Sequence, residues 1–197
     1  MSKIKAAVNG TIQDVITKKA AALFRKKGFI ATSMRELAEN MGVEAPSLYN
    51  HIGSKSELLQ NICFKIADEF NNQLQVTETS MQTISQKLEQ LIRFHIQMML
   101  QVFDEVYVAN HEWKHLKEPF LGNFLLQRKS YESRMVKLIT SGIKNKELKN
   151  IHPHVAVLII LSAVRGLEFW QRHKKEVTIE ALENNIVDHL LNGLIKN

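Results

Sequence analysis

The sequence predicts an all-α fold: a small N-terminal three-helix domain with a helix-turn-helix over residues 1–60, and a larger helical domain over residues 61–197. Three observations lead there. Apolar residues recur every three or four positions along most of the chain, the period of an amphipathic helix. Three prolines and eight glycines leave too few breaks for a turn-rich β fold. Hydrophobic residues make up 45% of the 197 positions, enough to pack a core.

The first helix spans about Thr11 to Lys27, with Ile12, Val15, Ile16, Leu23 and Phe24 as its apolar stripe. Gly28 ends it, after three cations (Arg25, Lys26, Lys27) that suit a helix C-terminus. The stretch from Thr32 to Leu58 then reads as two short helices joined by a tight turn and running into another helix. Ser33 and Glu36 form a capping box. Met34, Leu37, Ala38 and Met41 share a buried face. Gly42 ends this helix, and Val43 plugs the turn. Pro46 fits the first turn of a helix of roughly Ala45 to His51. That helix is too short and polar to be core, and it shows Ser47, Tyr49, Asn50 and His51. Ser54 and Glu57 make a second capping box. A short helix held on another helix by a turn, with hydrogen-bonding side chains outward, is the helix-turn-helix way of reading a DNA groove.

The fourth helix runs from Lys55 to about Gln75, followed by a polar break, Val76 to Gln82. A fifth runs from about Ile84 to Val106, with His95 completing its apolar stripe. Tyr107 to Pro119 is less regular. The next helix spans about Phe120 to Ile143 and places Phe124, Arg128, Tyr131, Met135 and Leu138 inward. A guanidinium on that seam must meet an acid, Glu132 or Glu168, or face a cavity that admits an anion. A helix from near Pro153 is apolar on every side over Val155 to Leu161, so one face needs a cover beyond its own domain. The last helix, about Ile179 to Ile195, carries Leu182, Ile186, Leu190 and Leu194 at near-heptad spacing. These two helices read as half of a four-helix interface in a two-fold dimer, through Val157, Leu161, Val164, Leu182, Ile186 and Leu190.

Charge is uneven. Residues 1–60 hold nine Lys/Arg against five Asp/Glu, and residues 61–197 hold seventeen against fifteen, within a net charge of +6. The positive potential gathers around the helix-turn-helix, where a polyanion is the natural partner. The one cysteine, Cys63, excludes an internal disulfide framework and fits a reducing cytoplasm. The N-terminus lacks the apolar core of a signal peptide. The longest apolar run, Val155 to Leu161, falls far short of the roughly 20 residues that cross a bilayer, so no membrane partner is expected.

On Thr32–Ser33, Ala38, Gly42, Tyr49 and the run Lys55–x–Glu57–Leu58, the segment from about Ile12 to Phe64 resembles the DNA-binding domain of the TetR/AcrR family of bacterial regulators. Two positions depart from that pattern: Glu44 replaces the usual serine or threonine cap, and Ile52 replaces an aromatic residue. The resemblance implies a dimeric regulator, most simply a repressor, on a palindromic duplex operator. Phosphate contacts are expected from Thr32, Ser33, Tyr49, His51 and Lys55. Base edges are expected to be read by Pro46, Ser47 and Asn50, the last able to pair bidentately with adenine. It also implies an effector held among the middle helices of the C-terminal domain.

A looser resemblance bears on that effector. Trp113 and Leu116, Arg128–x–x–Tyr131, Gly142, His152–Pro153 and Trp170 are similar to TetR-type regulators of fatty acid, phenylacetate and sterol breakdown, which respond to acyl-CoA thioesters. The expected effector residues are His95, Met99, Trp113, Phe124, Arg128, Tyr131, Arg165, Phe169 and Trp170. The apolar ones suit an acyl group and the arginines suit phosphates. A fatty acid or lipophilic drug is the rival effector. No cofactor and no catalytic or metal residue is expected.

One motif argues for an enzyme. His111-Glu112-Trp113-Lys114-His115 fits H-E-x-x-H, which on a helix puts two histidines on one face for zinc beside a glutamate base. A zinc peptidase is therefore the alternative. Against it, Lys114 lies inside the motif, and Glu118 and Leu121 stand where the extended form needs glycine and histidine.

Overall fold

The structure is a computed structural model that describes residues 11–172 and 177–195. In chain order it contains α1 (Ile12–Lys27), α2 (Met34–Met41), α3 (Ala45–Tyr49), α4 (Lys55–Thr79), α5 (Ile84–Gln101), α6 (Phe103–His111), α7 (Phe120–Lys144), α8 (Pro153–Arg165) and α9 (Ile179–Asn192). Two 3-10 segments, Trp113–His115 and Gly166–Arg172, follow α6 and α8. The described residues include no β-strand, only an isolated bridge between Leu148 and Ile195. The chain divides into two compact units. One combines the chain up to Asp68 with Asp104–Leu125; the other combines Glu69–Phe103 with the chain from Leu126 onward.

In the first unit, α1 starts on a full capping box. The Thr11 hydroxyl accepts from the Asp14 N–H at 3.1 Å, and the Asp14 carboxylate accepts from the Thr11 N–H at 3.0 Å. The apolar stripe then buries Ile16, Ala20, Ala21, Leu23 and Phe24. α2 packs on α1 through Leu37 and Ala38, and α3 packs on α2 through one residue, Leu48, which is fully buried. The first half of α4 adds Leu58, Leu59, Ile62 and Cys63 to the buried set. Arg25 pairs with Asp104, which ties α1 to α6.

In the second unit α5 is the central helix and packs on both α8 and α9. It buries Leu88, Leu91, Ile92, His95, Ile96 and Met99. Ion pairs brace the periphery. Arg93 bridges Glu89 on its own helix and Glu183 on α9. Arg134 on α7 grips Glu78 on α4 with its Nε 3.1 Å from both carboxylate oxygens and its Nη2 2.6 Å from one. Gly142 is buried where a Cβ would come within 2.7 Å of the Ile84 and Leu148 side chains, so any side chain here would displace them.

Four boundaries depart from the periodicity. α4 continues to Thr79 through the stretch expected to be a polar break. Its last carbonyls find side-chain donors: Lys87 Nζ to Glu78 at 2.9 Å and Ser80 Oγ to Thr77 at 2.8 Å. α5 stops at Gln101, because Val102 leaves helical geometry (φ −126°, ψ 46°), and Phe103–His111 is a separate helix rather than irregular chain. α8 ends at Arg165, so Trp170 lies on a 3-10 segment. α9 ends at Asn192, ahead of Gly193. The 18-residue stretch Pro153–Trp170, mean hydropathy 1.4, is thus not one α-helix, and part of it is buried within the chain.

Candidate functional site

The helix-turn-helix is built from α2, α3 and the start of α4. Ser33 caps α2: its hydroxyl accepts from the Glu36 N–H at 3.2 Å, and Glu36 accepts from the Ser33 N–H at 2.9 Å. The Lys27 ammonium beside Glu36 holds that carboxyl at about 2, well below the usual range. Gly42 takes the left-handed conformation (φ 70°, ψ 31°), which a glycine adopts without a Cβ clash, and the chain reverses there. The N-terminus of α3 has no side-chain cap, since Glu44 makes no such bond. Leu48 and Ile52 point into the core and fix the rotation of this five-residue helix. Pro46, Tyr49 and Asn50 are left exposed, Tyr49 by 51%, with Ser47 and His51 half-buried. Ile52 thus fills the place where the family pattern has an aromatic. At the start of α4, Ser54 accepts from the Glu57 N–H at 3.1 Å, but Glu57 reaches Gly53 rather than Ser54.

Two expected phosphate contacts are placed differently. Thr32 is 1% exposed, and its hydroxyl donates to the Gly28 carbonyl at 2.9 Å. The Lys55 ammonium donates to the carbonyls of Phe29 (2.8 Å), Ile30 (3.2 Å) and Thr32 (2.7 Å) and lies 4.5 Å from the centroid of the Phe29 ring. Both polar groups are engaged by the α1–α2 loop. Ser33, Tyr49 and His51 remain on the accessible side.

The H-E-x-x-H stretch does not form the zinc-peptidase arrangement. α6 ends at His111, and Glu112 stands between it and a 3-10 turn, so the two histidines are not carried on one continuous helix. His111 stacks on Tyr107 at 4.3 Å, and His115 stacks on Phe29 at 5.6 Å. Glu112 accepts from the Phe29 N–H at 3.2 Å and lies 3.4 Å from His115 Nε2. Among the described residues no group of three metal-binding side chains is assembled.

The expected effector residues fall in both units. In the first, Trp113 is half-buried, and Phe124 is 3% exposed and edge-on to Phe64 at 5.9 Å. In the second, His95 Nε2 and the Tyr131 hydroxyl are 2.7 Å apart, and Phe70 stacks on the His95 ring at 4.4 Å. Burial, reinforced by the Arg165 charge, pushes the His95 imidazole down to about 3, so it is neutral at physiological pH. Burial also holds the Tyr131 hydroxyl well above its usual value. Met99 and Trp170 are buried, and Trp170 Nε1 has no hydrogen-bond partner among the described residues. Arg128 is half-buried, while Arg165 and Phe169 are exposed. Phe70, whose signal in the sequence was only its place in the α4 stripe, joins His95 and Tyr131 here.

The expected interface residues differ in burial between α8 and α9. Val157, Leu161 and Val164 lie on the inward face of α8. The open face is Val155, Leu158 and Ile159, exposed by 48%, 63% and 54%. Those positions are spaced i, i+3, i+4, a helix stripe that periodicity could not orient because both faces of α8 are apolar. Leu182, Ile186 and Leu190 are half-buried on α9.

A capped helix, a left-handed glycine turn and a short outward-facing helix define a helix-turn-helix nucleic-acid reader joined to a helical second unit. The chain belongs to the TetR family of bacterial regulators: residues 16–62 match the family described as bacterial regulatory proteins, tetR family, and residues 81–194 match the tetracyclin repressor-like C-terminal domain. It is a DNA-binding transcriptional regulator of that family. The HTH-type transcriptional repressor KstR2 of Rhodococcus jostii (strain RHA1) is 22% identical over 177 residues, covering 89% of this chain and 87% of that protein. The ketosteroid transcriptional regulator KstR2 of Mycobacterium tuberculosis has the same fold at a TM-score of 0.88 and 19% identity, covering 99% and 100% of the two chains. AibR, solved in complex with isovaleryl coenzyme A and operator DNA, aligns at a TM-score of 0.79 and 23% identity over 91% and 97%.

Proposed function

We propose that the protein is a homodimeric, cytoplasmic repressor that leaves a palindromic operator when a lipophilic or acyl-CoA-type effector binds. The observation that carries the DNA half is α3: Leu48, with Ile52 just beyond it, anchors the helix, and Pro46, Tyr49 and Asn50 face outward beside Ser47 and His51. Residues 1–60 are assigned the DNA-binding role, and residues 61–197 effector binding and dimerisation. Two such helices, one per protomer, must enter major grooves about 34–36 Å apart. An effector that favours another spacing competes with DNA by linkage.

Support for the effector half lies in the second unit. A neutral His95–Tyr131 pair and the unpartnered Trp170 N–H place a few polar groups among apolar neighbours, the composition of a small-molecule site. AibR, a protein of the same fold, was solved with an acyl-CoA. Dimerisation is assigned to the open α8 face, with Leu182, Ile186 and Leu190 beside it on α9.

The test begins with selection of a binding duplex from a randomised pool. Affinity for that duplex should fall steeply with salt, and Tyr49→Ala should weaken binding in a folded protein. Acyl-CoAs, free fatty acids and lipophilic drugs are then screened by thermal shift; at 100 times its Kd a ligand stabilises by about 2.7 kcal/mol. The same ligand must release the duplex. Failure to select any duplex sinks the DNA half. A chain stabilised by none of the three ligand classes sinks the effector half.

A further inference from the structure

The loop from Gly28 to Thr32 delivers the chain to the α2 N-terminus, and it is held more tightly than a surface loop requires. Gly28 turns with φ 86°. Thr32 ties back to the loop with both its hydroxyl, to Gly28, and its N–H, to Phe29. Lys55 then takes the carbonyls of Phe29, Ile30 and Thr32. An ammonium has three N–H groups, so three carbonyls saturate it. Glu112 takes the Phe29 N–H, and the His115 ring stacks on the Phe29 side chain, which is 6% exposed and also edge-on to Phe24. Phe29 is therefore gripped through its amide, its carbonyl and its ring.

We propose that Lys55 and Glu112 are positioning residues for operator binding: they fix the 28–32 loop, and through it the α2 N-terminus at Ser33, without touching the operator themselves. This rests on the DNA-binding reading above. A lysine in a helix-turn-helix unit is ordinarily read as a phosphate contact, but all three N–H groups of Lys55 are engaged, so reaching a phosphate means abandoning at least one of its carbonyls. Glu112 carries the wrong charge to meet DNA, and its one hydrogen bond to the loop is to a backbone amide. The H-E-x-x-H match acquires a purpose in this way: the glutamate and the second histidine both serve Phe29.

The two roles separate by salt dependence. Each direct phosphate contact contributes about 0.9 to the slope of log affinity against log salt on duplex DNA. Wild type, Lys55→Met, Glu112→Ala and Glu112→Gln are titrated against the duplex selected by wild type, across a series of salt concentrations. Lys55→Met should bind about tenfold more weakly with the wild-type slope. Glu112→Ala should also bind about tenfold more weakly, while Glu112→Gln, whose amide oxygen still accepts the Phe29 N–H, stays within about twofold of wild type. A slope shallower by about 0.9 in Lys55→Met makes Lys55 a phosphate contact and overturns its part. Equal affinity of the two Glu112 variants means the carboxylate acts by charge alone and overturns the other. Should Lys55→Met fail to fold, the Glu112 pair decides the mechanism by itself. A wild-type protein that selects no duplex removes the DNA-binding reading, an outcome visible before any variant is measured.

Discussion

Replacing His95 with glutamine should make the protein less sensitive to mild acid. The wild-type imidazole is buried against Phe70 and Tyr131, and burial holds its folded-state value at about 3. In the unfolded chain a histidine titrates near 6.5. Between those values the unfolded state binds a proton that the folded state refuses, so stability rises with pH across the window and is lost as pH falls. From pH 7 to pH 5 the loss is about 2 kcal/mol. For a chain of this size that is a fall of roughly 4–8 °C in melting temperature. The neighbouring windows do not confuse it. Asp14 and Glu36, held at about 2 by Lys65 and Lys27, lose their contribution only below the ordinary carboxylate range. Glu105, raised by burial, works in the opposite sense, and it is common to both proteins, so it cancels in their difference. Glutamine keeps a hydrogen-bonding group for the Tyr131 hydroxyl but has no proton to gain. It forfeits the ring stack on Phe70, so the variant is less stable at every pH, and the comparison is of slopes. Thermal melts of both proteins at pH 7, 6 and 5 measure it. If His95→Gln loses as many degrees as wild type over that interval, another group controls acid sensitivity and His95 is not held neutral by burial.

Leu158→Arg puts a charge in the centre of the open α8 face; analytical ultracentrifugation should show wild type as a dimer and the variant as a monomer of unchanged helical content, a monomeric wild type removes the proposed interface, and a variant that stays dimeric moves it elsewhere. Gly142→Ala pushes a methyl into Ile84 and Leu148, so it should cost roughly 1–3 kcal/mol in chemical denaturation, and an unchanged midpoint would mean the crossing is looser than described.

The sequence carried the fold through signals that are local. Capping boxes at Ser33–Glu36, a glycine forced into positive φ at Gly42, and a proline at the head of α3 each declare themselves within four residues. The break at Val102 does not. Met99, Val102, Phe103 and Val106 continue the α5 stripe, and nothing in the side chains marks the break. The extension of α4 to Thr79 was equally silent, because its final carbonyls are capped by Lys87 from the next helix. Such ends depend on partners brought in by folding, and a window read along the chain does not contain them.

The site divides along the same line. Residue type says what a side chain can contact; only the fold says whether it is available. The outward placement of Tyr49 and Asn50 was legible because a helix as short as α3 buries only Leu48 of its own residues, and whatever points away from it faces out. Thr32 and Lys55 have the right chemistry for phosphate and are engaged by the loop beneath them. On α8 the difficulty is symmetry. With apolar residues on both sides, hydrophobicity alone could not choose between Val157, Leu161 and Val164 and the stripe of Val155, Leu158 and Ile159. In the folded protomer Val157, Leu161 and Val164 pack on the α5 side. This has a consequence for any reader of such a helix: when every face is apolar, the residues that pack the protomer are fixed by its own core, and a partner is left with the stripe that remains.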